Sequence, residues 1–162
     1  MTQDAKLIKK DRMRYTKNTF SANLVLAAIL FDVFYFVSIY QSDVGSYYYN
    51  MLVGASIIYN LVFLLASFLA SEGVKSRGKG YPQLLVVLGL LQIGRIFIIP
   101  MQAHAAMIKD VQVMGNGQFI WCIVCLLASA ACCIGGGITS YLNNKTLNDY
   151  LKTIEQPKVQ GR

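Results

Sequence analysis

Charge is scarce in this chain, and acid is scarcer than base. Only 14% of its 162 residues are charged, with eight Asp and Glu against fifteen Lys and Arg. Histidine occurs once, as His104, with no second ligand spaced beside it. A metal needs several converging donors, so a solvated or interfacial role is expected for His104. All four cysteines (Cys122, Cys125, Cys132 and Cys133) fall inside one apolar stretch. A disulfide framework needs cysteines spread over exterior loops, so this distribution argues against one. The glycine-spaced basic turn from Glu72 to Gly80 lacks the Gly-Lys-Ser/Thr ending of a phosphate-binding loop and the strand before it. No cofactor motif is read, and the apolar stretches leave no room for a separate soluble domain.

What fills the chain is hydrocarbon. Hydrophobic residues make up 55% of it, gathered into four stretches at roughly 20–40, 48–70, 82–101 and 118–142. Each reaches the ~20 residues that carry a helix across a hydrocarbon layer of about 30 Å. The expected fold class is therefore all-α: an integral membrane four-helix bundle, one domain over 1–162, with tails at 1–19 and 143–162. The first stretch is too long for a signal-peptide core and ends Tyr35-Phe36-Val37-Ser38-Ile39-Tyr40, without a small-x-small cleavage pattern. It reads as an uncleaved anchor, with no lipobox or prenylation motif elsewhere.

The net charge of +7 reflects orientation, not nucleic acid. Lys6, Lys9, Lys10, Arg12, Arg14 and Lys17 precede the first stretch; Lys75, Arg77 and Lys79 follow the second; Lys145, Lys152, Lys158 and Arg162 follow the fourth. The two remaining loops hold only Lys109. The positive-inside rule then puts both termini in the cytoplasm. The N-terminal basic run also suits contact with anionic membrane lipid, although topology alone accounts for it. Tyr40 and Tyr47-Tyr48-Tyr49 flank the first external turn, as an interfacial aromatic belt would.

Two charges interrupt the apolar stretches, Asp32 in the first and Arg95 in the third. Counted from the helix starts, both lie roughly 18 to 20 Å into the layer. Asn60 falls at a similar level, Gln92 lies one turn from Arg95, and Tyr35 stands beside them. The expected polar layer is Asp32, Asn60, Gln92 and Arg95. Each charge lowers the cost of burying the other. The pair is read as a packing and register device, because Arg95 would hold Asp32 ionised and unsuited to carrying a proton. Ser56, Asn60 and Ser67 share a face of the second helix that should turn toward protein. Pro100 should end or kink the third helix.

The fourth stretch is rich in small residues. Ala128, Ala131, Cys132, Gly135 and Gly136 recur at helical spacing and form an expected packing or partner face, within the bundle or in a homo-oligomer. At its start, Cys122-Ile123-Val124-Cys125 is similar to the Cys-x-x-Cys of the vitamin K epoxide reductase family, which implies membrane thiol oxidoreduction. The partner cysteines that family carries in an external loop are not found here.

Three further segments carry a wider resemblance: Asp11-Arg12-Met13-Arg14-Tyr15-Thr16-Lys17-Asn18, then Ile93 to His104 through Arg95 and Pro100, and Met114-Gly115-Asn116-Gly117-Gln118-Phe119. Together they make the chain resemble small, poorly characterised four-span membrane proteins of Gram-positive bacteria that accompany sugar-type ABC importers. That resemblance implies a non-enzymatic accessory or scaffold subunit, partnered by a transporter permease in the cytoplasmic membrane. A second expectation, from similarity in size to the small multidrug resistance family, is a secondary transporter with Asp32 as coupling residue. A thiol oxidoreductase using Cys122 and Cys125 comes third.

Overall fold

A computed structural model describes residues 8, 11–12, 15–40, 51–105, 107–108 and 111–159. The tyrosine run 47–49, Lys109 and the N-terminal basic residues Lys6, Lys9, Lys10 and Arg14 lie outside them, as does Arg162. The helices are α1 (Thr19–Tyr40), α2 (Met51–Lys75), α3 (Tyr81–Arg95), the short α4 (Pro100–Ala105) and α5 (Asn116–Val159). Two-residue strands β1 (Met107–Ile108) and β2 (Val111–Gln112) pair antiparallel between α4 and α5. Four helical segments among the described residues are long and apolar enough to cross a membrane: 19–40, 54–75, 81–105 and 116–153.

The four long helices alternate in direction around a square. The start of α1 meets the end of α2, where the Asn18 N–H donates to Lys75 O at 3.2 Å. α5 packs closely on α1 and α3, α2 lies against α1, and the α2–α3 side is the loosest. Glycines set the tight sides. A Cβ at Gly89 would come 3.0 Å from Ala130 O, one at Gly136 3.3 Å from Ser21 O, and one at Gly137 2.8 Å from Pro82 O. Backbones meet backbones there because no side chain intervenes. The expected small face of α5 is thus divided. Gly136 is buried against α1, whereas Ala131 is exposed and a Cβ at Gly135 would meet nothing within 4 Å.

Hydroxyls and amides clamp the end where α1 starts. Ser21 Oγ lies 2.9 Å from Thr139 Oγ1, Ser71 Oγ donates to Ala22 O at 3.2 Å, and Asn143 Nδ2 donates to Asn18 Oδ1 at 3.4 Å. α2 closes in a left-handed cap: Gly78 N–H donates to Gly73 O at 2.9 Å and Arg77 N–H to Val74 O at 3.1 Å, with Arg77 at φ 61°. The Arg77 side chain compensates for an unfavourable backbone by donating twice to Thr16 O, at 3.3 and 3.2 Å. Desolvation there pulls its pKa below the ordinary arginine value.

Three boundaries differ from the sequence reading. α2 ends later than residue 70, reaching Lys75, whose ammonium bonds Glu72 at 2.9 Å. α5 does not stop near residue 142 but continues to Val159. The third span breaks before its proline. Pro100 has no N–H and its ring crowds the carbonyl four residues back, at Ile96. The chain tightens, with Ile96, Phe97 and Ile98 N–H groups bonding three residues back, each at 3.2 Å. Met101 N–H then takes up Ile96 O at 3.1 Å, and α4 begins on Pro100.

The glycine contacts predict a clear division among leucine substitutions. Gly136→Leu and Gly137→Leu should each lower the thermal midpoint in detergent and broaden the elution profile. Gly135→Leu should leave both unchanged, since its side chain points into open space.

Candidate functional site

Every long helix contributes to one polar centre. Arg95 closes the regular part of α3, at the point where Pro100 forces the ladder to tighten, and its guanidinium turns into the bundle. Nη1 donates to Asp32 Oδ1 at 2.9 Å, and Gln92 Nε2 donates to the same oxygen at 2.7 Å. Gln92 also reaches Ser129 Oγ on α5 at 3.3 Å, and Ser129 in turn donates to Ala28 O on α1 at 2.9 Å. From α2, Ser56 accepts a long bond from Arg95 Nη2 at 3.5 Å. The guanidinium lies between two aromatic faces, 4.5 Å from the Tyr35 ring centre and 4.8 Å from that of Tyr59. A ring face attracts a cation, and the attraction grows when water is excluded.

The centre is enclosed. Asp32 and Gln92 are fully buried and Arg95 is 4% exposed. Several of its polar atoms have no partner among the described residues: Asp32 Oδ2, Gln92 Oε1, Tyr35 OH and Tyr59 OH. Beside it, on the loose α2–α3 side, Ala55, Ser56, Tyr59, Leu91, Gly94, Arg95, Ile98 and Ile99 line an apolar groove of about 430 Å³.

Of the expected layer, the structure brings Asp32, Gln92 and Arg95 together. Asn60 is buried but turned aside: it lines a cavity of about 90 Å³ with Val33, Phe36 and Leu64 at the α1–α2 seam. Its Oδ1 has no hydrogen-bond partner. Four residues make slightly more than one turn, so Asn60 sits about 40° around α2 from Ser56. That offset aims Ser56 at Arg95 and Asn60 past it. The face holding Ser56, Asn60 and Ser67 does turn inward, with all three buried. Sequence reasoning missed Tyr59, which adjoins the counted Asn60, and Ser129, on a helix where no polar-layer position was counted.

The remaining candidates have structural neighbours. Cys122 and Cys125 are buried in an apolar cluster with Tyr35, Ile39, Ile99 and Met114, Cys122 Sγ lying 3.7 Å from Ser38 Oγ. Cys132 is half-buried, as is Ala128. His104 is not a solvated residue: its ring stacks on Phe119 at 4.2 Å and Nδ1 lies 3.2 Å from Met114 O. It fastens α4 and the strand pair to the start of α5, where Gln118 Nε2 also donates to Ser38 O at 2.8 Å.

The class of protein is thereby defined: an all-helical multi-pass membrane bundle with a buried ionic centre. Set against protein-family models, curated proteins and solved structures, the chain matches none.

The centre yields a coupled-pair prediction. Asp32→Leu or Arg95→Met alone leaves one buried charge uncompensated and should destabilise the bundle by about 3 to 5 kcal/mol. Asp32→Leu with Arg95→Met should lose far less than the sum of the two single changes. Detergent or denaturant unfolding of all the variants in a double-mutant cycle measures the coupling. Additive losses would show the charges to be independent.

Proposed function

We propose that this chain is a non-enzymatic accessory or scaffold subunit of a membrane transport complex, with an ABC-type importer as the assembly its sequence resemblance suggests. The carrying observation is the use made of the intramembrane charges. Asp32 and Arg95 are committed to each other and, through Gln92, Ser129 and Ser56, to the association of four helices. A proton taken up at Asp32, even at the free Oδ2, would cancel the charge that compensates the guanidinium 2.9 Å away in apolar surroundings. That arrangement supports a fixed bundle over a coupling site. Contact with a permease would then fall to outward surfaces, and the stretch around Ala131 and Gly135 is open for close helix approach. In this reading the protein lies in a bacterial cytoplasmic membrane with both termini inside, since basic residues crowd the end where α1 starts.

Extraction from native membranes in mild detergent should co-isolate permease subunits of an ABC-type importer, and Gly135→Leu should reduce their recovery without unfolding the chain. In liposomes the purified protein alone should move no solute. Proton- or ion-coupled flux by the isolated protein, abolished by Asp32→Asn, would overturn the proposal in favour of a secondary transporter. For orientation, single cysteines replacing Ser76 or Asn148, in a background without native cysteines, should react only from the inner side. External labelling at either position would reverse the topology.

A further inference from the structure

Beyond the ionic centre, the structure forms a second polar cavity where the apolar part of α5 gives way to charge. Tyr141, Asn144, Lys145, Asn148, Asp149 and Lys152 share one face of α5, spaced alternately by three and one. Across from them stand Lys79 of the α2–α3 turn and Pro82 of α3, and together they enclose about 300 Å³. Three lysines against one aspartate leave the groove positive. None of these lysines forms an ion pair among the described residues, whose salt bridges are Lys75–Glu72 and Arg95–Asp32.

Its placement matters as much as its charge. Gly137 touches Pro82 just below, so the groove opens one turn beyond a tight apolar seam. Tyr141 is 54% exposed at that boundary, and Ile138 on the same face is 50% exposed. A ligand seated among the lysines would therefore meet hydrocarbon-compatible surface directly beneath. Asn144 Oδ1 is a buried acceptor with no hydrogen-bond partner, ready for a hydroxyl hydrogen.

We propose that this groove binds the headgroup of an anionic phospholipid, with the phosphate among Lys79, Lys145 and Lys152, a headgroup hydroxyl toward Asn144, and the acyl chains against Ile138. Lysines at a membrane surface attract anionic lipid, and the continuous apolar surface below favours a lipid over free phosphate.

The test uses the full chain in nanodiscs and in neutral detergent. Phosphatidylglycerol should be retained through purification and favoured over phosphatidylcholine. Lys79→Gln/Lys145→Gln/Lys152→Gln should weaken that retention by about tenfold to a hundredfold. Removing a charge outside the groove, by Lys75→Gln, whose ammonium is already paired with Glu72, should leave it within about twofold. All three groove lysines are exposed, so the variant should fold. The unmodified protein gives an independent reading: raising salt from about 0.05 to 0.5 M should release the lipid, because screening shortens the reach of exposed charge. Equal retention of the two lipids, no effect of the triple substitution, or salt-insensitive retention would each overturn the proposal. Inorganic phosphate binding to the lipid-free protein, with the same lysine dependence and full displacement of phosphatidylglycerol, would replace the lipid by the free anion.

Discussion

A guanidinium held between two tyrosine rings, bonded to one carboxylate deep in an apolar bundle, is the interaction on which the rest of this molecule depends. Either charge alone would be costly to bury in apolar surroundings, so the two stabilise the bundle as a pair. Asp32 from α1 compensates the buried Arg95 of α3, and Gln92 links the pair to Ser129 on α5. Apolar packing between membrane helices is weakly directional, because lipid competes for the same contacts. The polar centre supplies the missing specificity. It fixes rotation and depth for all four helices at once.

Around that centre the packing is uneven, and glycine decides where. Gly89, Gly136 and Gly137 bring α5 within backbone contact of its two neighbours. Between α2 and α3, by contrast, Leu91, Ile98 and Ile99 stand around an open groove. The bundle is thus a firm three-helix core of α1, α3 and α5 with α2 held along one edge. The proline-driven break after Arg95 belongs to the same design: a straight α3 would carry its ladder past Ile96 and alter the approach of the guanidinium to Asp32.

Much of this was legible in the chain. Hydropathy located the spans, and α1 begins where its apolar run does. Hydropathy reports where the membrane stops, however, not where the helix stops. The polar run after Leu142 is still a competent helix former, so α5 continues, and the last turn of α2 is held by buried Ala70 and Val74 with the Glu72–Lys75 pair outside. Depth arithmetic brought Asp32, Gln92 and Arg95 to one level because rise per residue is constant. It carries no information on direction around the axis, which is why Ser56 and Tyr59, and not Asn60, complete the centre. The clamp of Asn18, Ser21, Thr139 and Asn143 was invisible for a different reason. Its members come from the two ends of the sequence and announce themselves only as ordinary polar residues.

The length of α5 has a mechanical consequence. From Leu142 to Val159 it runs on for about 25 Å at the usual rise per residue. A continuous helix of that length is stiff in bending, so it acts as a lever with its fulcrum where Gly136 and Gly137 rest on α1 and α3. A tilt of about 10° at that fulcrum, about 33 Å from Val159, displaces the tip by about 6 Å. Movement within the bilayer would thereby be enlarged at the far end of the arm, and a load applied to the arm would be felt as torque at the glycines.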